Sequence, residues 1–255
     1  VPINAKQPSP IIEYIIKDSG SKILVFTEDL YEKVQQIQEN IQHVKQIPVY
    51  LTKGDGNPLD GYDKRLSSVS SELELEEVEK EDICFLPYTS GSTGNPKGCI
   101  LTHEGQFWNV QASSDRGVDE TDRLIVSLPL YHKNAMATMK MIFYVAASAV
   151  ILEKVDIPKI LESIEKYKCT FITGVPALYQ MIVNYIDQSE KSYDFSSLRF
   201  ISCGSSEAPK ELLEKLNAIF NVPVYEGYGL TEGGPIVTSS KEGVQRIGSA
   251  GKPVK

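Results

Sequence analysis

Residues 200 to 232 read FISCGSSEAPKELLEKLNAIFNVPVYEGYGLTE, and the fold follows from how this stretch divides. Phe200 to Cys203 is a short apolar run ending at Gly204-Ser205-Ser206, the pattern of a buried strand that runs into a turn. Pro209 then opens a helix to Phe220, in which Leu212, Leu213, Leu216, Ile219 and Phe220 share one face. Val222 to Tyr225 is a second apolar run, and Glu226 to Glu232 reads as the loop that leaves it. Strand, helix and strand in this order form a parallel crossover unit.

Upstream, the alternation repeats. Ala149 to Leu152 and Thr170 to Thr173 read as strands, and Pro158 to Lys168 and Pro176 to Gln188 as helices, with Ile160, Leu161, Ile164 and Tyr167 on one face of the first. A βαβαβαβ series of this kind predicts an α/β fold with parallel sheets covered by helices on both faces. Such sheets bind ligands beyond the carboxyl ends of their strands, which singles out the loops at Gly204 to Ser206 and Glu226 to Glu232.

Further upstream stands Tyr88-Thr89-Ser90-Gly91-Ser92-Thr93-Gly94-Asn95-Pro96-Lys97-Gly98, after the strand-like run Ile83 to Leu86. Its glycines let the backbone come close to a ligand and turn successive N–H groups inward, its hydroxyls add donors, and Lys97 adds a mobile positive charge. A plain Ser/Gly turn is the ordinary outcome of such composition, but a lysine behind a proline-stiffened turn favours a phosphate-holding loop. The spacing is not that of a Walker loop, because Pro96 stands where the second glycine belongs.

This segment resembles the glycine-rich signature of the adenylate-forming superfamily, which includes acyl-CoA synthetases, luciferases and the adenylation domains of peptide synthetases. Tyr228-Gly229-Leu230-Thr231-Glu232 resembles the superfamily's second nucleotide motif, and Leu128-Pro129-Leu130-Tyr131-His132 the acyl-CoA ligase form of the motif between them. The three occur in family order, and the similarity runs from Val1 to Lys255. The resemblance implies that Thr89, Ser90, Gly91, Ser92, Thr93, Gly94 and Lys97 hold the outer phosphates of ATP. It implies that Gly204, Ser205, Ser206, Glu226, Gly227, Tyr228 and Gly229 surround the adenine, that Thr231 bonds the α-phosphate, and that Glu232 ligates Mg²⁺. His132 would gate the acyl pocket. Catalysis would fall to Lys97, His132, Thr231 and Glu232.

The reaction so implied joins a carboxylic acid to CoA through an acyl-adenylate, consuming ATP. The polar pair Lys133-Asn134 beside the gate suits a carnitine-like acid as well as a fatty acid. A carrier-protein-loading adenylation domain is the alternative, against which Leu230 speaks, because that branch usually has proline there. A nucleotide-binding remnant without turnover is a third reading. Glu226 stands where many relatives have glutamine or asparagine, and Ser205-Ser206-Glu207 replaces the usual Gly-Ala-Pro or Ala-Ala-Pro.

The remaining sequence sets bounds. A net charge of -8 speaks against nucleic acid or an anionic membrane surface as the main partner. No apolar run approaches the roughly 20 residues that a transmembrane helix needs. Cys84, Cys99, Cys169 and Cys203 lack paired spacing and read as buried reduced thiols, hence a cytoplasmic protein. Self-association is left open. Ser9-Pro10 places a cap before a helix with Ile11, Ile12, Ile15 and Ile16, closed by Gly20. Lys22 to Phe26 and Ile47 to Leu51 read as strands, Asp29 to Asn40 as a polar helix, and Thr52 to Ser71, with Lys53-Gly54-Asp55, as turns. Glu72 to Asp82 reads as a solvated acidic linker. Cys99 to Leu101 reads as a strand, and Thr102 caps a helix from His103, with Trp108 expected on its buried side. The expected organisation is an incomplete N-terminal domain over 1–255, with 1–82 as a first α/β portion and 83–255 carrying the nucleotide motifs. The family's ribose-binding aspartate and C-terminal lid with its catalytic lysine are not found, so the chain alone is expected to turn over poorly.

Overall fold

The computed structural model describes residues 1–49, 67–89, 94–114, 117–234, 236–240 and 246–254. The chain divides into two compact units, Val1–Ile100 and Leu101–Lys255.

In the first unit, α1 (Ser9–Asp18) buries Ile12, Ile15 and Ile16. Ser9 is its first residue rather than its cap, and the Ser9 hydroxyl donates instead to Gln36 Oε1 at 2.7 Å. Gly20 closes the helix at φ +64°, a left-handed position that glycine takes without strain. Strands β1 (Ile23–Thr27) and β2 (Lys45–Val49) pair in parallel, Ile23 opposite Lys45. Between them the expected polar helix is broken into a 3₁₀ turn at Glu28–Leu30, a short α2 (Tyr31–Gln35) and a second 3₁₀ turn at Gln38–Ile41. Only Val34, Ile37 and Ile41 of this stretch reach the interior, too few for a continuous apolar stripe. Ile12, Ile16, Ile37, Ile41 and Val44 form the unit's core. The acidic segment is solvated, with Leu73 and Leu75 exposed. Strands β3 (Ile83–Phe85), β4 (Tyr88–Thr89) and β5 (Lys97–Gly98) follow. The Lys53-Gly54-Asp55 turn lies outside the described residues.

The second unit opens with β6 (Leu101–Thr102) and α3 (His103–Ser114), whose first turn is capped as expected, Gly105 N–H donating to Thr102 Oγ1 at 3.2 Å. A seven-stranded sheet follows, built from β7 (Arg123–Val126), β8 (Ser148–Ile151), β9 (Phe171–Gly174), β10 (Phe200–Gly204), β11 (Val224–Gly229), β12 (Ile236–Ser239) and β13 (Lys252–Pro253), in the order 13-12-11-10-9-7-8. The five strands from β7 to β11 are parallel, whereas β12 and β13 add antiparallel, so the sheet is mixed. The connecting helices are α4 (Lys133–Val145), α5 (Ile157–Tyr167), α6 (Pro176–Gln188) and α7 (Lys210–Phe220).

Alternation along the strands decides which helix goes where. Ile125, Ile172, Ile201, Cys203 and Val224 pack with α5, α6 and α7 on one face. Leu124, Val126, Phe171, Phe200 and Tyr225 pack with Val110 of α3 and Ala135, Met141 and Ile142 of α4 on the other. Successive strand residues point to opposite faces, so one short apolar strand serves two cores. Ile160, Leu161 and Ile164 of α5 are fully buried as expected, but Tyr167 lies 40% exposed under the Lys166 ammonium.

Trp108 corrects another expectation, being 44% exposed, with Phe107 beside it at 60%. The buried residues of α3 are Gln106, Asn109, Val110, Ala112 and Ser113. Positions 106, 109, 110 and 113 share a helical face, which turns 107 and 108 outward.

At the amino ends of the strands, the fully buried Asp122 carboxylate accepts from Arg199 Nη1 at 2.8 Å, from Thr170 Oγ1 at 2.5 Å and from Asp119 N at 3.0 Å. Arg199 also donates to Gly117 O at 2.9 Å. This network ties β7, β9 and β10 together at the end away from the predicted ligand side.

Candidate functional site

In the first unit β4 and β5 form an antiparallel pair that sets Tyr88 opposite Gly98 and Thr89 opposite Lys97. The loop between them is thereby closed at its base, with the Lys97 side chain exposed and Gly94 at φ +134°. A Cβ on Gly98 would lie 3.1 Å from the Tyr88 ring, so a larger residue here would press on that ring. Tyr88 donates its phenolic proton to Asp18 Oδ2 at 2.6 Å, and burial, then that hydrogen bond and the Asp18 charge, push its ionisation well up. The phenol therefore stays a neutral brace between α1 and the base of the loop. Ser90, Gly91, Ser92 and Thr93 lie outside the described residues.

In the second unit, β10 and β11 end side by side, Gly204 opposite Gly227. A Cβ on Gly204 would meet the Gly227 carbonyl at 3.4 Å, an ordinary contact, and one on Gly227 would press on the Thr238 carbonyl of β12 at 3.0 Å. Ser205 turns away at φ +72°. Glu226, Gly227 and Tyr228 lie on β11 and not in a loop, because β12 turns back on Tyr228 and extends the ladder. Tyr228 is 55% exposed, an aromatic face left open at a strand end. Thr231, Glu232 and Gly233 form a 3₁₀ turn closed by Gly234 at φ +90°. Glu232 is exposed and Thr231 half-buried.

Sequence reasoning missed what holds that turn. Asn109, 1% exposed, donates its amide to Gly234 O at 2.9 Å and accepts from Ile236 N at 3.1 Å. Gln106 donates to Gly234 O at 3.4 Å and is itself bonded by Lys140 of α4. Buried amides on the inner face of a helix need partners, and here they find them in the backbone of the motif turn. The signal available was weak: two amides three residues apart in a helix otherwise short of core residues.

The third region lies between β7 and β9. The connection after β7 leads to α4 on one face and that after β9 to α6 on the other, so the sheet has its topological switch point there, where ligands of such folds enter. Leu128 to His132 occupy this position. Leu128 packs against both cores, and His132 stands at the N-cap position of α4 without a side-chain capping bond, its imidazole exposed and 4.5 Å from the Tyr131 ring. Asn134 Oδ1 accepts from the Thr173 hydroxyl at 3.2 Å across the switch.

Among the described residues no three His, Cys, Asp or Glu side chains gather as a metal centre. A Mg²⁺ ion held largely by phosphate oxygens and water needs only one protein carboxylate, and the exposed Glu232 fits that demand. None of the four cysteines forms a disulfide; Cys169 and Cys203 are buried, Cys84 and Cys99 only half-buried. Burial pushes Cys169 up to about 11 and Cys203 up to about 12, the latter aided by the Glu226 charge, so neither is a nucleophile at neutral pH. No helix among the described residues is long and apolar enough to cross a membrane.

Compared with known protein families, residues 1–255 match the AMP-binding enzyme family, and the chain belongs to it. It is 31% identical over 259 residues to a feruloyl-CoA synthase of Amycolatopsis, covering 99% of this chain and 48% of that protein. Its fold matches the crystal structure of a long-chain-fatty-acid-CoA ligase from Archaeoglobus fulgidus with a TM-score of 0.90, at 27% identity over 99% of this chain and 52% of that one. The anthranilate CoA ligase solved in complex with anthranoyl-AMP matches at a TM-score of 0.89 and 27% identity, over 99% of this chain and 49% of that one. The chain thus spans about half the length of the curated relatives that it matches.

Proposed function

We propose that this chain carries the nucleotide and acyl sites of an ATP-dependent carboxylic acid–CoA ligase. The observation that carries the reading is the end of β10 and β11, where Gly204 stands opposite Gly227 and the exposed Tyr228 ring offers a flat face for a purine. Thr89, Ser90, Gly91, Ser92, Thr93, Gly94 and Lys97 hold the β- and γ-phosphates in this reading. Gly204, Ser205, Ser206, Gly227, Tyr228 and Gly229 hold the adenine, Thr231 the α-phosphate, and Glu232 the Mg²⁺.

The substrate carboxylate attacks the α-phosphorus, pyrophosphate leaves, and an acyl-adenylate remains. The CoA sulfur then attacks the acyl carbon and AMP leaves, giving the thioester. Bound Mg²⁺ neutralises charge on the phosphates. The protein's part is positioning and charge compensation, with Lys97 toward the outer phosphates and Thr231 at the reacting one. His132, at the switch point, borders the acid. The acid is of the fatty or carnitine-like kind, and the Asn134–Thr173 bond at the same place supports a polar group in it. Four cysteines without a disulfide fit a reducing compartment such as the cytosol.

The test is AMP and CoA-thioester formation by the intact gene product with straight-chain, aromatic and betaine-type acids. Thioester with at least one class is expected. AMP and thioester from none of them, or acyl transfer to a carrier-protein thiol in preference to CoA, overturns the assignment.

A further inference from the structure

The end of β11 is bound to a segment some twenty residues further along the chain. Glu226 Oε2 accepts the Gly248 N–H at 2.7 Å, while the Glu226 carbonyl accepts from Ser240 N at 3.0 Å. Two residues on, the Thr238 hydroxyl accepts the Tyr228 N–H at 3.2 Å and gives its own proton to Ala250 O at 2.7 Å. Gly251 follows at φ +85°, where an added Cβ would lie 2.1 Å from the Ser239 carbonyl carbon, so only glycine lets the chain lie this flat on β12. Ile247 rests on the larger core. Residues 246–251 are therefore a strap across the β11–β12 hairpin, and one hydroxyl joins that strap to the backbone of Tyr228.

Of these attachments only the one from Glu226 uses an ionised group, and a carboxylate bond to a backbone N–H is about twice as strong as a neutral one. We propose that Glu226 is a positioning residue: its carboxylate pins Gly248, and so holds the strap that fixes Tyr228 for a nucleotide base, instead of reading the base itself. This rests on the nucleotide reading of the β11 end. It also gives a physical reason for a glutamate at this position, since the acceptor is needed and a side-chain donor is not. A glutamine keeps an acceptor oxygen and can do the same work less strongly.

The test compares Glu226→Ala with Glu226→Gln in the intact protein. In acid-dependent ATP–pyrophosphate exchange, Glu226→Ala is expected to raise KM for ATP about tenfold while kcat moves less than about threefold, because a prepared binding surface is lost and the reacting groups are untouched. Glu226→Gln is expected within about threefold of the parent in both. Amide hydrogen exchange without nucleotide should quicken over 246–251 in the alanine variant and hold in the glutamine variant. Unchanged exchange in the strap overturns the role. A lower melting temperature with unchanged KM also overturns it, as does a glutamine variant as impaired as the alanine one. A parent protein inactive with every acid sinks the ligase reading instead, and hydrogen exchange alone then decides the strap.

Discussion

Lys97 stands opposite Thr89 in the β4–β5 pair, and its side chain is exposed. If the loop between these strands holds the outer phosphates, Lys97→Ala should weaken ATP more than AMP. The cost should be about 1.5–3 kcal/mol, the range for hydrogen bonds to charged groups. Titration calorimetry with both nucleotides is the check, and equal losses would move Lys97 away from the β- and γ-phosphates. At this scale the sequence was readable where residue type is unusual for its surroundings. A tyrosine between two glycines suggests an open face, and Tyr228 lies 55% exposed. Gln106 and Asn109 were not readable, because a buried amide in a helix looks the same in sequence as one on the surface. Only the turn at Gly234 and Ile236, more than a hundred residues on, makes sense of them.

The strands and helices from Ala149 to Tyr225 were legible to within about two residues, because each carries its own period and its own punctuation by Pro or Gly. The elements just before them were harder. Met141 to Leu152 is one apolar run in sequence, yet it is the end of α4, a left-handed turn at Ala146 with φ +57°, and then β8. No glycine or proline marks that turn. The glycines at the end of β11 suggest a loop, whereas β12 pairs with it and keeps it extended. The mixed edge of the sheet depends on that long-range pairing, which no local pattern encodes. Among these elements the amino ends of β7, β9 and β10 rest on Asp122. Arg199→Leu should leave that carboxylate buried with only neutral donors, at a cost of about 2–3 kcal/mol. That is less than for a fully enclosed pair, because 38% of the Arg199 side chain meets solvent and screens the bond. Urea unfolding of parent and variant measures the difference, and a change below about 0.5 kcal/mol would show that Thr170 and the Asp119 amide suffice.

For the molecule as a whole, the buried thiols set an alkaline limit. Cys169 and Cys203 hold their protons to about 11 and about 12 when folded, against an ordinary value of 9.0. Between those values the unfolded chain has lost protons that the native state keeps, so stability falls as pH rises. Unfolding midpoints should be insensitive to these groups below about pH 9 and decline above it. The double variant Cys169→Ala, Cys203→Ala should start lower and decline less steeply. Parallel declines in the two proteins would show that other groups, such as the buried Tyr179 phenol, carry the effect.

The outward turn of α3 has an optical consequence. Trp108 is the only tryptophan in the chain, and it stands on the wet side of its helix near the aromatic pair Phe107 and Tyr144. The intrinsic indole emission of the folded protein is therefore a signal from its outside. It reports the polarity over α3 and is open to quenchers, and whatever covers that face announces itself by a shift to the blue.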